Sequence, residues 1–161
     1  AADGVRSLVV RAGDFFGPHP GNTWFSGAMV KPGRPLRAVT YPGTPGTGHA
    51  WAYLPDLAEA MARLIEREEE GFRTYHFAGH WDADGTAMVA AIRRAADALT
   101  LPVRRLPWLL VTALAPFSEM FRGLREMRYL WRTPLRLDNA RLVAALGEEP
   151  HTPLDVAVER T

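Results

Sequence analysis

The sequence predicts an α/β fold whose second half is mostly helical. Short apolar runs rich in β-branched residues alternate with stretches of helical periodicity over about the first hundred residues. After Pro107 the periodicity is helical only, which predicts a helical cap over the layered part. With 161 residues, 47% of them apolar and 23% charged, the composition is that of roughly one globular domain.

The opening strand and the loop after it form the stretch around which the other elements are placed. Leu8, Val9 and Val10 predict a buried strand, and the small residues of 11–14 let the backbone approach something closely. Open α/β sheets bind ligands just beyond the carboxyl ends of their strands. We therefore expect a binding loop at this point, with Asp14 as its carboxylate. A strand that is apolar throughout is typically covered on both faces and paired on both sides, so if part of the sheet lies outside this chain we expect the strand to be only partly covered here.

The remaining elements follow from periodicity, turn residues and caps. Further strands are predicted at Pro35–Tyr41, His49–Leu54, Phe72–Ala78 and Val103–Leu106. Helices are predicted at Ala1–Gly4 (a last turn), Asn22–Val30, Asp56 to before Gly71, Asp84–Leu99, Trp108–Ala115, Phe117–Trp131, Asp138–Leu146 and from Thr152. Asp56 is expected to be the N-cap of its helix, with Glu59 in the capping-box position.

Charge, cysteine content and apolar run length exclude several classes of protein. A net charge of +1 offers no electrostatic basis for a nucleic-acid partner. The sequence contains no cysteine, so disulfides and thiolate chemistry are excluded. The longest apolar stretch, Leu106–Pro116, is well short of the about 20 residues that cross a bilayer. With no signal peptide visible before the first strand, we expect a soluble cytoplasmic protein without a membrane partner.

A metal site is not expected. His76 and His80 are four residues apart, but they straddle the end of a predicted strand and a loop. Paired ligands at that spacing need one face of a helix.

Four segments, in order along the chain, resemble motifs of one family. They are RAGDFFGP at Arg11–Pro18, WAYLPDLA at Trp51–Ala58, YHFAG at Tyr75–Gly79, and the closing Asp138–Arg141, Leu146–Gly147 and Thr152–Leu154. They are similar to "RxxNxYGP", "hHVxDLA", "YNVGG" and "D...KA...LG..P...L" of the extended or atypical short-chain dehydrogenases/reductases, the NAD-dependent epimerase/dehydratase group. Each match alone is weak, and together they are fairly specific.

The resemblance implies the C-terminal part of a Rossmann-like doubly wound sheet with a mostly helical substrate-binding subdomain. Residues 1–65 would hold the last Rossmann elements mixed with substrate loops, and residues 66–161 mainly the substrate-binding cap. The family's catalytic Tyr-x-x-x-Lys is not present, because the only lysine, Lys31, has Gly27 four residues before it. The glycines of Pro42–Gly48 are interrupted by a proline and precede a strand-like run. This pattern predicts a loop connection rather than a phosphate-binding turn.

By resemblance, the whole protein would be an NAD(P)-dependent epimerase, dehydratase or reductase that transfers hydride to or from NAD or NADP. This chain would lack the dinucleotide-binding half, contain no catalytic residue and be inactive alone. A homodimer of the full-length protein is a possible assembly. The alternative is a non-catalytic NAD(P)-sensing regulatory protein of the same fold, and a third reading is an independent small binding module.

The resemblance also assigns candidate site residues. Ala12 and Gly13 would contact the cofactor near its nicotinamide, although they could merely end a strand. Asp14 stands where the family usually has asparagine, and His49 where members that bind a sugar nucleotide often have arginine. A carboxylate repels phosphate, so this pair favours a neutral, hydroxylated or cationic substrate over a nucleotide sugar. Asp14 as a loop-closing residue and His49 as a surface residue are the alternatives.

Two further apolar features of the second half of the chain are candidates for more than one role. Trp108 and the leucines after it are candidates for lining a substrate pocket, as the variable C-terminal segment of the family does. The stripe from Phe117 to Trp131 alternates with arginines and predicts a packed amphipathic helix, a pocket wall or, as the weakest alternative, a membrane-surface helix.

Overall fold

The computed structural model describes residues 6–19, 21, 23–30, 35–67 and 71–161. The helical turn predicted at Ala1–Gly4 and the predicted cap Asn22 lie outside these residues.

Within the described residues the strands pair mostly in parallel. They are β1 Ser7–Arg11, β2 Asp14–Phe16, β3 Val39–Tyr41, β4 His49–Tyr53, β5 Phe72–His76, β6 His80–Asp82 and β7 Val103–Arg105. β1 pairs with β5, β2 with β4 and β3 with β7, all in parallel, and β6 pairs antiparallel with β4. Parallel pairs need crossover connections, and helices supply most of them here. The predicted α/β class is confirmed.

The helices are shorter than predicted. They are α1 Leu54–Glu66, α2 Ala87–Ala95, α3 Trp108–Leu114, α4 Glu119–Met127, α5 Ala140–Leu146 and α6 Leu154–Glu159. A π-helical turn covers Phe25–Met29, and 3-10 turns cover Ala115–Phe117 and Arg128–Trp131. The helix predicted over Phe117–Trp131 is interrupted at Ser118, whose extended backbone separates the first 3-10 turn from α4.

Asp56 is not the N-cap of its helix, which corrects the prediction. α1 begins at Leu54, after extended Tyr53, and Pro55 occupies its first turn, where a proline's missing N–H is not needed. The buried Asp56 carboxylate instead accepts hydrogen bonds from the backbone N–H and the hydroxyl of Thr152, both at 2.7 Å. It therefore joins the start of α1 to the chain just before α6.

The start of α2 is set by an aspartate that lies before the predicted helix. Asp82, buried at the end of β6, accepts backbone N–H groups from Gly85, Ala87 and Met88 at 2.9–3.1 Å. These donors are among those that a helix start leaves unpaired. Asp84 instead bonds the N–H and the hydroxyl of Thr86 in the preceding turn.

Two groups of buried side chains hold the layers together. The first, here called the aromatic core, surrounds β3 and β4 and contains Phe16, Trp24, Phe25, Met29, Val39, Tyr41, Trp51, Tyr53, Met88, Val89, Ala91, Ile92, Trp131, Ala157 and Val158. The second, here called the β1–β5 core, contains Ala52, Leu57, Ala60, Leu64, Tyr75, Phe77 and Leu142, with Leu8, Val10 and Ala12 partly buried against it.

β1 is only partly covered, as expected. Its pairing among the described strands is with β5 alone, and Val9 is 38% exposed. Among the described residues, no helix is long and apolar enough to cross a membrane.

Candidate functional site

The loop between β1 and β2 lies directly against β4. A Cβ built on Gly13 would come within 2.2 Å of the Ala50 carbonyl oxygen, so only glycine fits there without a shift of backbone. Asp14 follows at once as the first residue of β2, in register with Trp51 of β4. The close contact between Gly13 and Ala50 therefore fixes the position of Asp14 along β4.

Asp14 and His49 form a direct pair. The His49 Nε2 and Asp14 Oδ2 atoms are 2.8 Å apart, although the residues are separated by 35 positions. His49 lies two residues before Trp51, so the parallel register makes it a diagonal neighbour of Asp14 on the same face. The side chains are 7% and 16% exposed, which shields the contact from most solvent. The alternative of His49 as a surface residue is wrong.

Aromatic rings hold the His49 imidazole in place. It stacks face to face on Trp131, with ring centroids 3.8 Å apart and planes 9° apart. Trp51 meets it edge-on at 4.9 Å. Both tryptophans are almost fully buried. Because the ring is fixed on a face and an edge, its hydrogen bond to Asp14 is held in one geometry.

The pair opens onto a depression of about 150 Å³. Its walls are Ala12, Gly13, Asp14, His49, Ala50, Leu130, Leu135 and Leu137. Four of the predicted site residues thus come together, with one carboxylate and one imidazole in an otherwise apolar surface. The leucines carried no sequence signal, because Leu135 and Leu137 lie in an irregular stretch.

Trp108 lies elsewhere. Its indole packs against Trp24 at 6.0 Å, and its Nε1 donates a hydrogen bond to the Pro42 carbonyl at 2.8 Å. The Arg128 guanidinium lies 5.3 Å from the centroid of the same ring. Trp108 is therefore engaged on the edge of the aromatic core and does not line the depression.

A second buried histidine has different surroundings. His80 on β6 is 8% exposed, its Nε2 has no hydrogen-bond partner among the described residues, and its ring lies 4.5 Å from that of His151. Burial, and next the charge of His151, lower the pKa of His80 to about 4, against an opposing effect of Asp56. His80 is therefore a neutral core residue at neutral pH. The described residues contain no group of three or more His, Cys, Asp or Glu that could hold a metal.

Comparison with known proteins finds likeness in structure only. No family model and no curated protein matches the sequence. RMD from Pseudomonas aeruginosa, solved with NADPH, matches 95% of this chain and 45% of its own at a TM-score of 0.62 and 18% identity. The human epimerase family protein SDR39U1, solved with NADPH, matches 99% of this chain and 49% of its own at a TM-score of 0.66 and 20% identity.

UDP-glucose 4-epimerase from Bifidobacterium longum, solved with NAD+ and UDP, matches 95% of this chain and 45% of its own. Its TM-score is 0.63 and its identity 15%. The chain spans slightly less than half the length of each of these proteins. At such identities the likeness concerns the fold alone, which this chain shares with somewhat less than half of each of these proteins.

Proposed function

We propose that this chain is the substrate-binding portion of an NAD(P)-dependent epimerase, dehydratase or reductase-like oxidoreductase. The observation that carries the proposal is the depression beyond the carboxyl end of β1, where Ala12, Gly13, Asp14 and His49 lie together. Open α/β sheets bind ligands at that edge. Its apolar walls and single polar pair suit a small organic substrate.

Ala12 and Gly13 are the residues that would border the cofactor. Neither has a side chain beyond Cβ, so a flat ring can approach the backbone closely. The solved proteins of this fold that contain NADPH or NAD+ support NAD or NADP as the group. When bound, the nicotinamide would supply hydride transfer. The part of this chain would be to limit the space beside the ring and to hold the substrate through Asp14 and His49.

The chain alone is proposed to be inactive. It contains no Tyr-x-x-x-Lys pair to hold and move the substrate proton, and no glycine-rich turn opening a helix. Among the described strands β1 pairs with β5 alone, and its apolar Val9 is partly exposed, so further sheet could form on its other edge. These features agree with a site that needs a second half to be complete.

The experiment compares this chain with the product of the whole gene. We expect NADPH fluorescence to report dinucleotide binding by the whole product and none by the 161-residue chain. In the whole product, Gly13→Ala should weaken binding at least about tenfold, because the added Cβ meets Ala50.

Gly123→Ala is the matched control, since a Cβ there meets nothing within 4 Å. Substrate turnover by the 161-residue chain alone would contradict the proposal, as would a whole gene product that binds neither NADPH nor NADH.

A further inference from the structure

We infer that the depression takes a small ligand with an apolar body and a hydrogen-bond donor such as a hydroxyl group, and that the Asp14–His49 pair excludes anions from it. The inference rests on the proposed function, because it treats the depression as the substrate site. It is carried by the charges, the free acceptor atoms and the shape of the residues that line the depression.

The charges disfavour an anion. Asp14 and His49 are the only ionisable residues among those lining the depression, and they are bound to each other at 2.8 Å. A phosphate would have to lie beside the carboxylate, and like charges at short range repel strongly where water is scarce. Two arginines near the lining leucines in sequence are engaged elsewhere, since the guanidinium of Arg128 lies over Trp108 and that of Arg136 over Trp81.

The free acceptor favours a hydroxyl. Asp14 bonds His49 through Oδ2, and Oδ1 accepts no hydrogen bond from the described residues. A carboxylate oxygen accepts hydrogen bonds and donates none when ionised, so a ligand O–H is its complement. A second acceptor at this point, such as a carbonyl or a phosphoryl oxygen, would leave Oδ1 unsatisfied.

The pair cannot easily rearrange to admit another ligand class. Rotation of His49 away from Asp14 would break its stack on Trp131, whose ring lies 9° from parallel with the imidazole. Leu130, Leu135 and Leu137 supply the apolar remainder of the wall. The volume of about 150 Å³ is below that of a pocket for a drug-sized ligand, so the part of the ligand held here is about the size of one six-membered ring.

Cyclohexanol, cyclohexylammonium and cyclohexyl phosphate form a probe set that differs only in the polar group. Each is titrated into the 15N-labelled product of the whole gene, and the amide signals of Gly13, Asp14 and Ala50 are followed. We expect cyclohexanol to shift these signals with a dissociation constant in the millimolar range, and cyclohexyl phosphate to bind at least about tenfold more weakly.

Asp14→Asn sharpens the test. It removes the negative charge and keeps an oxygen acceptor, so cyclohexanol binding should change less than about threefold while the discrimination against phosphate should fall at least about fivefold. Asp84→Asn is the control, because Asp84 lies in the turn before α2 and bonds Thr86. It should leave all three affinities unchanged.

Phosphate binding equal to or tighter than alcohol binding would overturn the inference. So would a lack of cyclohexanol binding by a whole gene product whose indole N–H signals are dispersed. NADPH binding by the whole gene product separates the two proposals. If that binding is present and the probes fail, only the ligand class is wrong, and if it is absent while cyclohexanol binds, the proposed function is wrong.

Discussion

The aromatic core and the β1–β5 core are built alike, from parallel strands with helices against them, and differ in how completely they are closed. In the aromatic core Phe16, Trp51 and Trp131 are at most 1% exposed, and their rings meet at steep angles. In the β1–β5 core the strand β1 leaves Val9 38% exposed. The depression lies between the two cores. Ala12 packs against the β1–β5 core, here called the open side, and His49 stacks on Trp131 of the aromatic core, here called the closed side.

This difference shows which core supplies which property of the candidate site. The closed side holds the polar pair in one geometry, because its aromatic partners cannot move without opening the core. The open side presents small residues and a strand edge, where further backbone or a flat ring can be accommodated. The aromatic core thus supplies rigidity at the site, and the β1–β5 core supplies access to it.

The largest expected effect comes from removing a ring of the closed side. Trp51→Ala should lower the free energy of unfolding by about 3 to 5 kcal/mol, because a fully buried side chain leaves a cavity among rings that cannot collapse into it. Urea denaturation followed by circular dichroism measures the loss. Leu109→Ala, at an 89% exposed position, is the control and should stay within about 0.5 kcal/mol of the parent. A Trp51 variant as stable as the Leu109 variant would mean that the aromatic core is not the more tightly packed one.

The next largest effect concerns Asp82, the buried carboxylate that caps the start of α2. Asp82→Ala should lower the free energy of unfolding by about 2 to 4 kcal/mol, since three backbone N–H groups lose their acceptor in a buried place. Asp84→Ala, at an exposed position in the same turn, should lower the free energy of unfolding by less than Asp82→Ala does. Equal losses in the two variants, measured by urea denaturation, would contradict the capping role of Asp82.

The buried His80 predicts a dependence of stability on pH. The pKa of His80 is lowered from 6.5 to about 4 in the folded chain, so the unfolded state binds more protons between these values. The free energy of unfolding should therefore fall as pH falls from 6.5 to 4, by roughly 2 to 3 kcal/mol from this residue. Denaturation at stepped pH values measures the slope.

His80→Gln should flatten that slope because it removes the titrating ring. His19→Asn, at an exposed position, is the control and should leave the slope unchanged. A slope that survives in the His80 variant would assign it to another group.

The smallest effect compares one residue type in the two cores. Val9→Ala should lower the free energy of unfolding by less than about 1 kcal/mol, because the β1 side chain is already 38% exposed. Val39→Ala, fully buried in the aromatic core, should cost about 2 kcal/mol. Hydrogen exchange should likewise be faster in β1 than in β4. Equal costs in the two valine variants would show that β1 is covered in solution.

Much of the fold could be predicted because its signals are local. The apolar run of β1, the amphipathic pattern of α1 and the glycine that follows it are each written within one segment. The strands β2 and β6 were not predicted, because each lies between turn glycines, Gly13 and Gly17 for β2 and Gly79 and Gly85 for β6, without an apolar run of strand length. Two helix starts differed from the prediction. Asp82 accepts backbone N–H groups at the start of α2, and Asp56 binds Thr152, 96 residues away, instead of capping α1.

The sequence by itself determined the α/β class, the loop at residues 11–14 and the residue types that reach the candidate site, since backbone preference and side-chain chemistry belong to each residue. Only the tertiary structure decided that Asp14 pairs with His49, that Trp131 stacks on that imidazole and that Trp108 lies apart. These contacts depend on the register of β2 against β4 and on where the chain after α4 returns. Both are set by packing between residues far apart in the chain, about which local periodicity carries no information.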